Sequence, residues 1–403
     1  MKKFKLQDYA SIQEAVNTCG RAGGGKVIIP RGEWKSTGPI HLMSNTELHL
    51  EDGAAVIFSD RYEDYLPVVF TRWEGMECYN YSPLIYANGC ENISITGNGT
   101  LIGSGQAWWP WKKLQAQAAE ELCYSERNGI PVEKRIYGTE AAALRPSFIQ
   151  PVSCRNVLLE GFTIIDGPQW TIHPVYCENV TVRNVTVSTH GPNTDGLNPD
   201  SCRDVLIEGC TFDTGDDCIA INSGMNEDGW RVGKPCENIE IRNCVMNGGH
   251  GGLVIGSGMS GGVKNVFAHD CRITGTMRGI RIKSMRGRGG YVKDVRFEKL
   301  EINDTEDQAI QITMFYDATT VEPKADTPSD FSNIVIRGVK GKGLKAGIQL
   351  AGLPEHRMSH ITLEDIELAA ESAMECVDVE NLTMKNVRIT SPEDMSGERG
   401  IEK

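Results

Sequence analysis

Asn156-Val157-Leu158-Leu159-Glu160-Gly161-Phe162 is followed by Asn179-Val180-Thr181-Val182-Arg183-Asn184-Val185, Asp204-Val205-Leu206-Ile207-Glu208-Gly209-Cys210 and Asn238-Ile239-Glu240-Ile241-Arg242-Asn243-Cys244. The same template continues over 265–271, 294–300, 333–339, 360–366 and 381–387. Each copy opens on Asn, Asp or His and sets apolar residues one, three, six and eight places later, with a polar pair or Gly between two short strands. A strand-turn-strand unit of this size cannot bury its own apolar side, so copies every ~20–30 residues predict a stacked, all-β solenoid. Stacking would align Phe162, Val185, Cys210, Cys244, Cys271, Leu300, Val339, Ile366 and Val387 as one interior ladder. The cysteines in it are then small hydrophobes rather than reactive groups.

The flanks complete this picture. Asp8 to Cys19 reads as a short amphipathic helix, with Ser11-Ile12-Gln13-Glu14 shaped like a capping box and Ile12, Ala15, Val16 and Cys19 on one face. Gly20 to Gly25 ends it, and short alternating runs at 26–30, 46–50 and 55–58 read as strands. A helix placed there, within residues 1–25, would cap the open end of a solenoid that otherwise fills 1–403 as one domain. Two stretches interrupt the repeat. Residues 106–148 carry Trp108-Trp109-Pro110-Trp111 and a helix-like run from Lys112 to Leu122, and Tyr316 to Asp330 is a smaller insertion. Long loops on a repeat scaffold shape its binding face, so the first is expected to wall a cleft. The alternative is a surface excursion with a small core of its own.

A net charge of -13 argues against a nucleic-acid or membrane-surface partner, though a local basic patch can still bind an acidic ligand. No apolar run follows Lys2-Lys3, and none elsewhere is long enough to span a bilayer. The 13 cysteines form no C-x-x-C pair and no zinc-like spacing, which leads to the expectation of reduced thiols in a cytoplasmic protein without a metal.

Chemistry concentrates between Gly191 and Lys283. Asn193-Thr194-Asp195-Gly196, Gly215-Asp216-Asp217, Gly249-His250-Gly251 and Arg281-Ile282-Lys283 follow one another at rung-like intervals. Rungs of a parallel β-helix stack ~4.8 Å apart, so equivalent positions on neighbouring rungs reach one sugar residue. Cleaving a glycoside needs a protonated carboxylic acid and a carboxylate that activates water or attacks carbon. Three crowded aspartates cannot all ionise freely, which keeps one protonated, and His250 can tune them. Arg281 and Lys283, two apart on a strand, share a face and can clamp a sugar carboxylate. Alone, each cluster is an ordinary turn or a solvated strand face; their order on one scaffold gives them meaning. This chemistry needs no cofactor. Two alternatives stay open: a lyase using Asp195, Asp216 and Asp217 to hold Ca²⁺, and a non-catalytic glycan-binding β-helix.

The four clusters, in this order on this repeat, resemble glycoside hydrolase family 28, the polygalacturonase family. The resemblance implies a right-handed parallel β-helix of the pectin-lyase-like kind that hydrolyses α-1,4-linked galacturonic acid with inversion. By position, Asp216 resembles the general acid, Asp195 and Asp217 the pair that activates water, and His250 the imidazole supporting the acid. Arg281 and Lys283 resemble the residues holding the substrate carboxylate, and Tyr316 a group that stacks on or bonds the sugar. The segments 73–79 and 168–174 are similar to those of the bacterial exo-acting branch, which assigns His173 to the substrate as well. With 106–148 walling one end, the expected substrates are galacturonate-containing oligosaccharides trimmed from a terminus. Galacturonate-rhamnose and xylogalacturonan linkages, and unsaturated ends, stay open. Arg278, Arg286 and Arg288 surround the clamp, either adding positive potential or standing as solvated loop charges.

Overall fold

A computed structural model describes residues 2–316 and 326–391; of the insertion expected from Tyr316 to Asp330, residues 317–325 lie outside the described residues. The chain winds as a right-handed parallel β-helix, and 26 strands join in one sheet among the described residues. Three ladders of parallel strands run along it. The first carries the template: Val157, Val180, Val205, Ile239, Val266, Val295, Ile334 and Ile361 stand in direct register on successive rungs. The second runs through Thr163–Ile165, Thr186–Thr189, Thr211–Thr214 and Val245–Asn247. The third includes Ile149–Val152, Ile219–Ile221, Leu253–Ile255, Ile280–Lys283 and Gln308–Thr313, with Ile172 and Leu197 bridging its early rungs.

The template's polar positions have a backbone cause. Its first residue is left-handed in every copy, from Asn156 (φ 57°) to Asn381 (φ 54°), and so is its sixth, from Gly161 (φ 90°) to Asn386 (φ 53°). Asn, Asp and Gly enter that region at least cost, which is why they recur at the corners. Stacked corners also bond one another: Asn92, Asn156 and Asn179 donate in turn to Asn45, Asn92 and Asn156 over 2.7–2.8 Å.

The core runs without interruption from Leu6 to Ala370. The expected interior ladder is buried from Phe162 to Ile366, whereas Val387, on the last rung, is only partly covered. A second thiol column escaped the sequence reading. Cys90, Cys154, Cys177, Cys202 and Cys236 each stand two residues before a corner, and the last four are buried with their thiols donating to backbone carbonyls. All 13 cysteines are free.

The N-terminal helix, α1, spans Ile12–Arg21 rather than Asp8 to Cys19. Ser11 takes the cap position, accepting from the Glu14 amide (3.1 Å), while the Glu14 carboxylate reaches back to the Ala10 amide (2.8 Å), so helix cannot extend upstream. Ile12, Ala15, Val16 and Cys19 are buried as expected. A strand at Lys3–Lys5 also pairs with Gly25–Ile29, sharing the capping of that end. In the first insertion, Trp109–Lys113 is a 3₁₀ turn and the helix, α2, covers Ala116–Arg127 instead of Lys112 to Leu122. Pro110 accounts for the delay, since it fits only a first helical turn. The helix shares a separate small core with the antiparallel hairpin Val69–Trp73/Met76–Asn80, made of Trp73, Met76, Cys78, Ala118, Leu122, Tyr137 and Leu144. A third helix, α3 at Asn226–Val232, was not read from the sequence.

Candidate active site

Asp195 and Asp217 each stand two residues before Leu197 and Ile219, which pair on adjacent rungs of the third ladder. The Gly196 amide donates to the Asp217 carbonyl (3.0 Å), and the Asp195 carbonyl accepts from the Thr171 amide of the rung before (2.9 Å). This close stacking needs glycine beside the acids. A Cβ on Gly196 would lie 2.4 Å from the Cys218 carbonyl, and Gly249 (φ +88°) approaches the Asp216 carbonyl so nearly that a Cβ would sit 2.2 Å away. The result brings oxygens of Asp195, Asp216 and Asp217 within 4.8 Å of one another.

The surroundings differ for each acid. Asn198 donates to Asp195 Oδ2 (2.9 Å), and Lys283 Nζ donates to Asp217 Oδ2 (2.7 Å), both ends of that pair being nearly enclosed. His250 Nδ1 lies 3.1 Å from Asp216 Oδ1, which also accepts from the Asp217 amide (2.9 Å). Asp195 Oδ1 and Asp217 Oδ1 are buried without a protein partner. Arg281 donates to Gln311 (2.9 Å), and the Tyr316 ring lies under both cations, 5.3 Å from the Arg281 guanidinium and 5.0 Å from the Lys283 ammonium. Asp195, Asp216, Asp217, His250, Arg281 and Lys283 thus converge over four rungs, as the spacing required, and Tyr316 joins them from the next.

Burial raises the Asp195 carboxyl well above the usual range, and the charges of Asp216 and Asp217 push the same way. Burial also opposes ionisation of Asp216, but the hydrogen bond from His250, with the charges of His250 and Lys283, holds it below its ordinary value. The two acids are thus pushed in opposite directions, Asp195 towards its protonated form and Asp216 towards its ionised one. The bond to Asp216 raises the His250 pKa against partial desolvation. The charged imidazole consequently stabilises the fold fully below the ordinary histidine value of ~6.5, and this contribution fades as pH rises through the raised value. His250→Ala should lower Tm at about pH 5.5 and change it far less at about pH 9; an equal drop at both would contradict the pairing.

His173 requires a correction. Its ring is completely buried, with Nδ1 facing Gln150 Nε2 (2.8 Å) and Nε2 facing Asp200 Oδ2 (3.3 Å), so it cannot touch a sugar. Asp200 in turn accepts from the buried Arg72 guanidinium (2.9 Å), and desolvation lowers the His173 pKa. His173 supports the rung behind the site. The three outlying arginines are also engaged: Arg278 with Asp307 (2.5 Å), Arg286 with Glu355 (2.6 Å), and the buried Arg288 with Asn226 (2.9 Å). Arg278 and Arg286 line, with Arg281 and Tyr316, a cavity of about 570 Å³ beside the clamp.

The sequence reading missed Asn198, Arg145 and Glu74. Asn198 lies only three residues from Asp195 and could have been weighed with it. Arg145 comes from the insertion and is fully buried, donating to the Pro192 carbonyl (2.6 Å), the Asn193 side chain (2.9 Å) and the Pro168 carbonyl (3.0 Å). With Trp109, which donates to the Gly167 carbonyl (3.0 Å), it ties the insertion to the loop carrying Asp195. Nothing in its local sequence marks that contact.

The sequence profile of glycosyl hydrolases family 28 matches residues 134–393. The chain is 30% identical to a probable polygalacturonase of Vitis vinifera, over 93% of this chain and 74% of that one. It is 25% identical to the exo-poly-alpha-D-galacturonosidase of Dickeya chrysanthemi, over 94% of this chain and 68% of that one. The crystal structure of a hyperthermoactive exopolygalacturonase from Thermotoga maritima superposes with a TM-score of 0.92 at 38% identity, covering 96% of this chain and 92% of that one. With this family match, the parallel β-helix and its carboxylate cluster are those of a glycoside hydrolase. The chain belongs to glycosyl hydrolase family 28.

Proposed function

We propose that this enzyme removes galacturonic acid from the end of α-1,4-linked galacturonate oligosaccharides, with inversion. The observation carrying this reading is the meeting of three carboxylates with Lys283, Arg281 and Tyr316 on one face of the third ladder. Arg281 and Lys283 bind the sugar carboxylate, Arg281 with a fork and Lys283 as a point charge. That carboxylate adds a negative charge to the site and takes a share of Lys283, raising the proton affinity of the aspartates. The proton of Asp195 then moves onto Asp216, which gives it to the leaving oxygen, and Asp195 is left ionised to act as a base. Asp195 and Asp217, through their unpartnered Oδ1 atoms, hold and deprotonate the attacking water. The insertion, tied through Arg145 and Trp109 to the Asp195 loop, walls one end of the groove and restricts cleavage to chain ends. Lys283 supplies the positive charge that Ca²⁺ supplies in a lyase, which favours hydrolysis. The stacked free thiols support a reducing, cytoplasmic setting.

Oxygens of the acids come within 4.8 Å of one another. The anomer released first decides whether Asp195 and Asp217 act on water, giving inversion, or one of them attacks carbon, giving retention. Tri- and tetragalacturonate should be incubated with the enzyme, with and without chelator, and products followed by size and anomeric NMR. Early release of monogalacturonate alone, as the β-anomer and indifferent to chelator, is expected. First-formed α-anomer would establish retention, random fragments would remove the exo reading, and an unsaturated product would mean elimination.

A further inference from the structure

The hairpin Val69–Trp73/Met76–Asn80 closes on Glu74-Gly75, with Trp73 opposite Met76. Both turn residues have positive φ, +44° at Glu74 and +89° at Gly75. A two-residue turn of this kind favours Asn-Gly or Asp-Gly, and a glutamate held in the left-handed region is strained. The turn is nonetheless fixed: the Gly75 carbonyl accepts from Arg72 Nε (3.0 Å) and from the Met225 amide (3.1 Å). The Glu74 side chain is braced too. Trp73 Nε1 donates to Gln169 Oε1 (3.0 Å), and Gln169 Nε2 donates to Glu74 Oε1 (3.3 Å). Gln169 is buried and lies two residues before Thr171, whose amide bonds the Asp195 carbonyl (2.9 Å). Glu74 is thereby held in fixed relation to the catalytic rung.

Its electrostatic surroundings are unusual for a carboxyl. Asp216, Arg145 and Lys112 lie within reach of its charge, yet among the described residues no cation forms an ion pair with it. Burial raises its pKa above the usual range. Glu74 as a residue is only half-buried. A strained, braced and unpaired acid beside catalytic carboxylates is placed for a ligand rather than for stability.

We propose that Glu74 reads the end of the chain, its carboxyl bonding hydroxyls of the terminal sugar and repelling the carboxylate that any further uronate would bring. The inference rests on the exo-hydrolase reading and names the residue that enforces it.

Glu74→Asn and Glu74→Gln test it, with Tm, kcat and KM on trigalacturonate, and the products from long polygalacturonate. Asn suits the turn, so Glu74→Asn should raise Tm while lowering kcat/KM on trigalacturonate by about tenfold or more, chiefly through KM. Glu74→Gln keeps length and hydrogen bonding but loses the charge, so it should release some di- and trigalacturonate from the polymer. Wild-type kcat/KM and monomer-only products in both variants would overturn the proposal and leave a turn residue. If the wild-type enzyme itself releases no monogalacturonate, the exo reading fails and this inference with it.

Discussion

Asp216→Asn should lower kcat on oligogalacturonates by about 10²–10⁴-fold with KM and secondary structure near those of the wild type. Asn preserves the size of the side chain and still accepts from the Asp217 amide, whose bond to Asp216 Oδ1 is 2.9 Å, so the loop keeps its shape. What it cannot do is hand a proton to the leaving oxygen. An aryl galacturonide whose phenol departs unaided should therefore be hydrolysed by Asp216→Asn with a far smaller defect. Asp195→Asn and Asp217→Asn should gain nothing from that substrate, because their proposed task is activating water. If all three variants were rescued alike, the division of roles would be wrong. Combining substitutions should add little to the worst single defect, since the three acids act as a unit.

Lys283→Met is expected to be the most damaging change to the fold among the site residues. Lys283 Nζ and Asp217 Oδ2 lie 2.7 Å apart, with side-chain exposures of 7% and 3%. Burial works against the ammonium there, and the charge of Asp217 prevails, raising the Lys283 pKa. Removing one partner of a buried pair costs about 3–5 kcal/mol because the other charge is left uncompensated. The pH dependence follows in sign. The charge of Lys283 lowers the pKa of Asp195 and of Asp216; without it both rise, so the folded state takes up protons that the unfolded chain does not hold, and stability falls as pH rises through that window. Urea unfolding should show a larger gap between variant and wild type at about pH 7.5 than at about pH 5. Equal gaps at both would show that the charge of Lys283 does not act on the buried carboxylates beside it. Activity should fall by more than about 10² at the same time, because Lys283 both holds the substrate carboxylate and fixes the Asp217 carboxylate in place for the attacking water.

Most of the fold was legible because its determinants are local and repeated. Val157, Leu159, Phe162 and Ile164 recur at fixed offsets in each copy, and in-register pairing turns that spacing directly into ladders. The helix boundaries were less legible. Ser11 and Pro110 both carried the signal, but Asp8 and Lys112 extend helix-compatible sequence upstream, and the cap and the 3₁₀ turn decide where regular bonding starts. Four clusters of the site could be read because they share the repeat's own period. His173 was misassigned because its neighbours Pro168 to Pro174 resemble a substrate-facing segment, while its burial between Gln150 and Asp200 depends on three rungs at once.

The amino-acid sequence by itself determined the solenoid, the order of its rungs and the set of acids and cations that face one another, since each is a consequence of apolar spacing and of Asn, Asp and Gly at the corners. Only the tertiary structure decided that burial raises the Asp195 carboxyl, that Lys283 pairs with Asp217, and that Arg145 braces the Asp195 loop from 48 residues away. Those properties arise from desolvation and from contacts between segments remote in the chain, and neither quantity has a local signature in the order of residues.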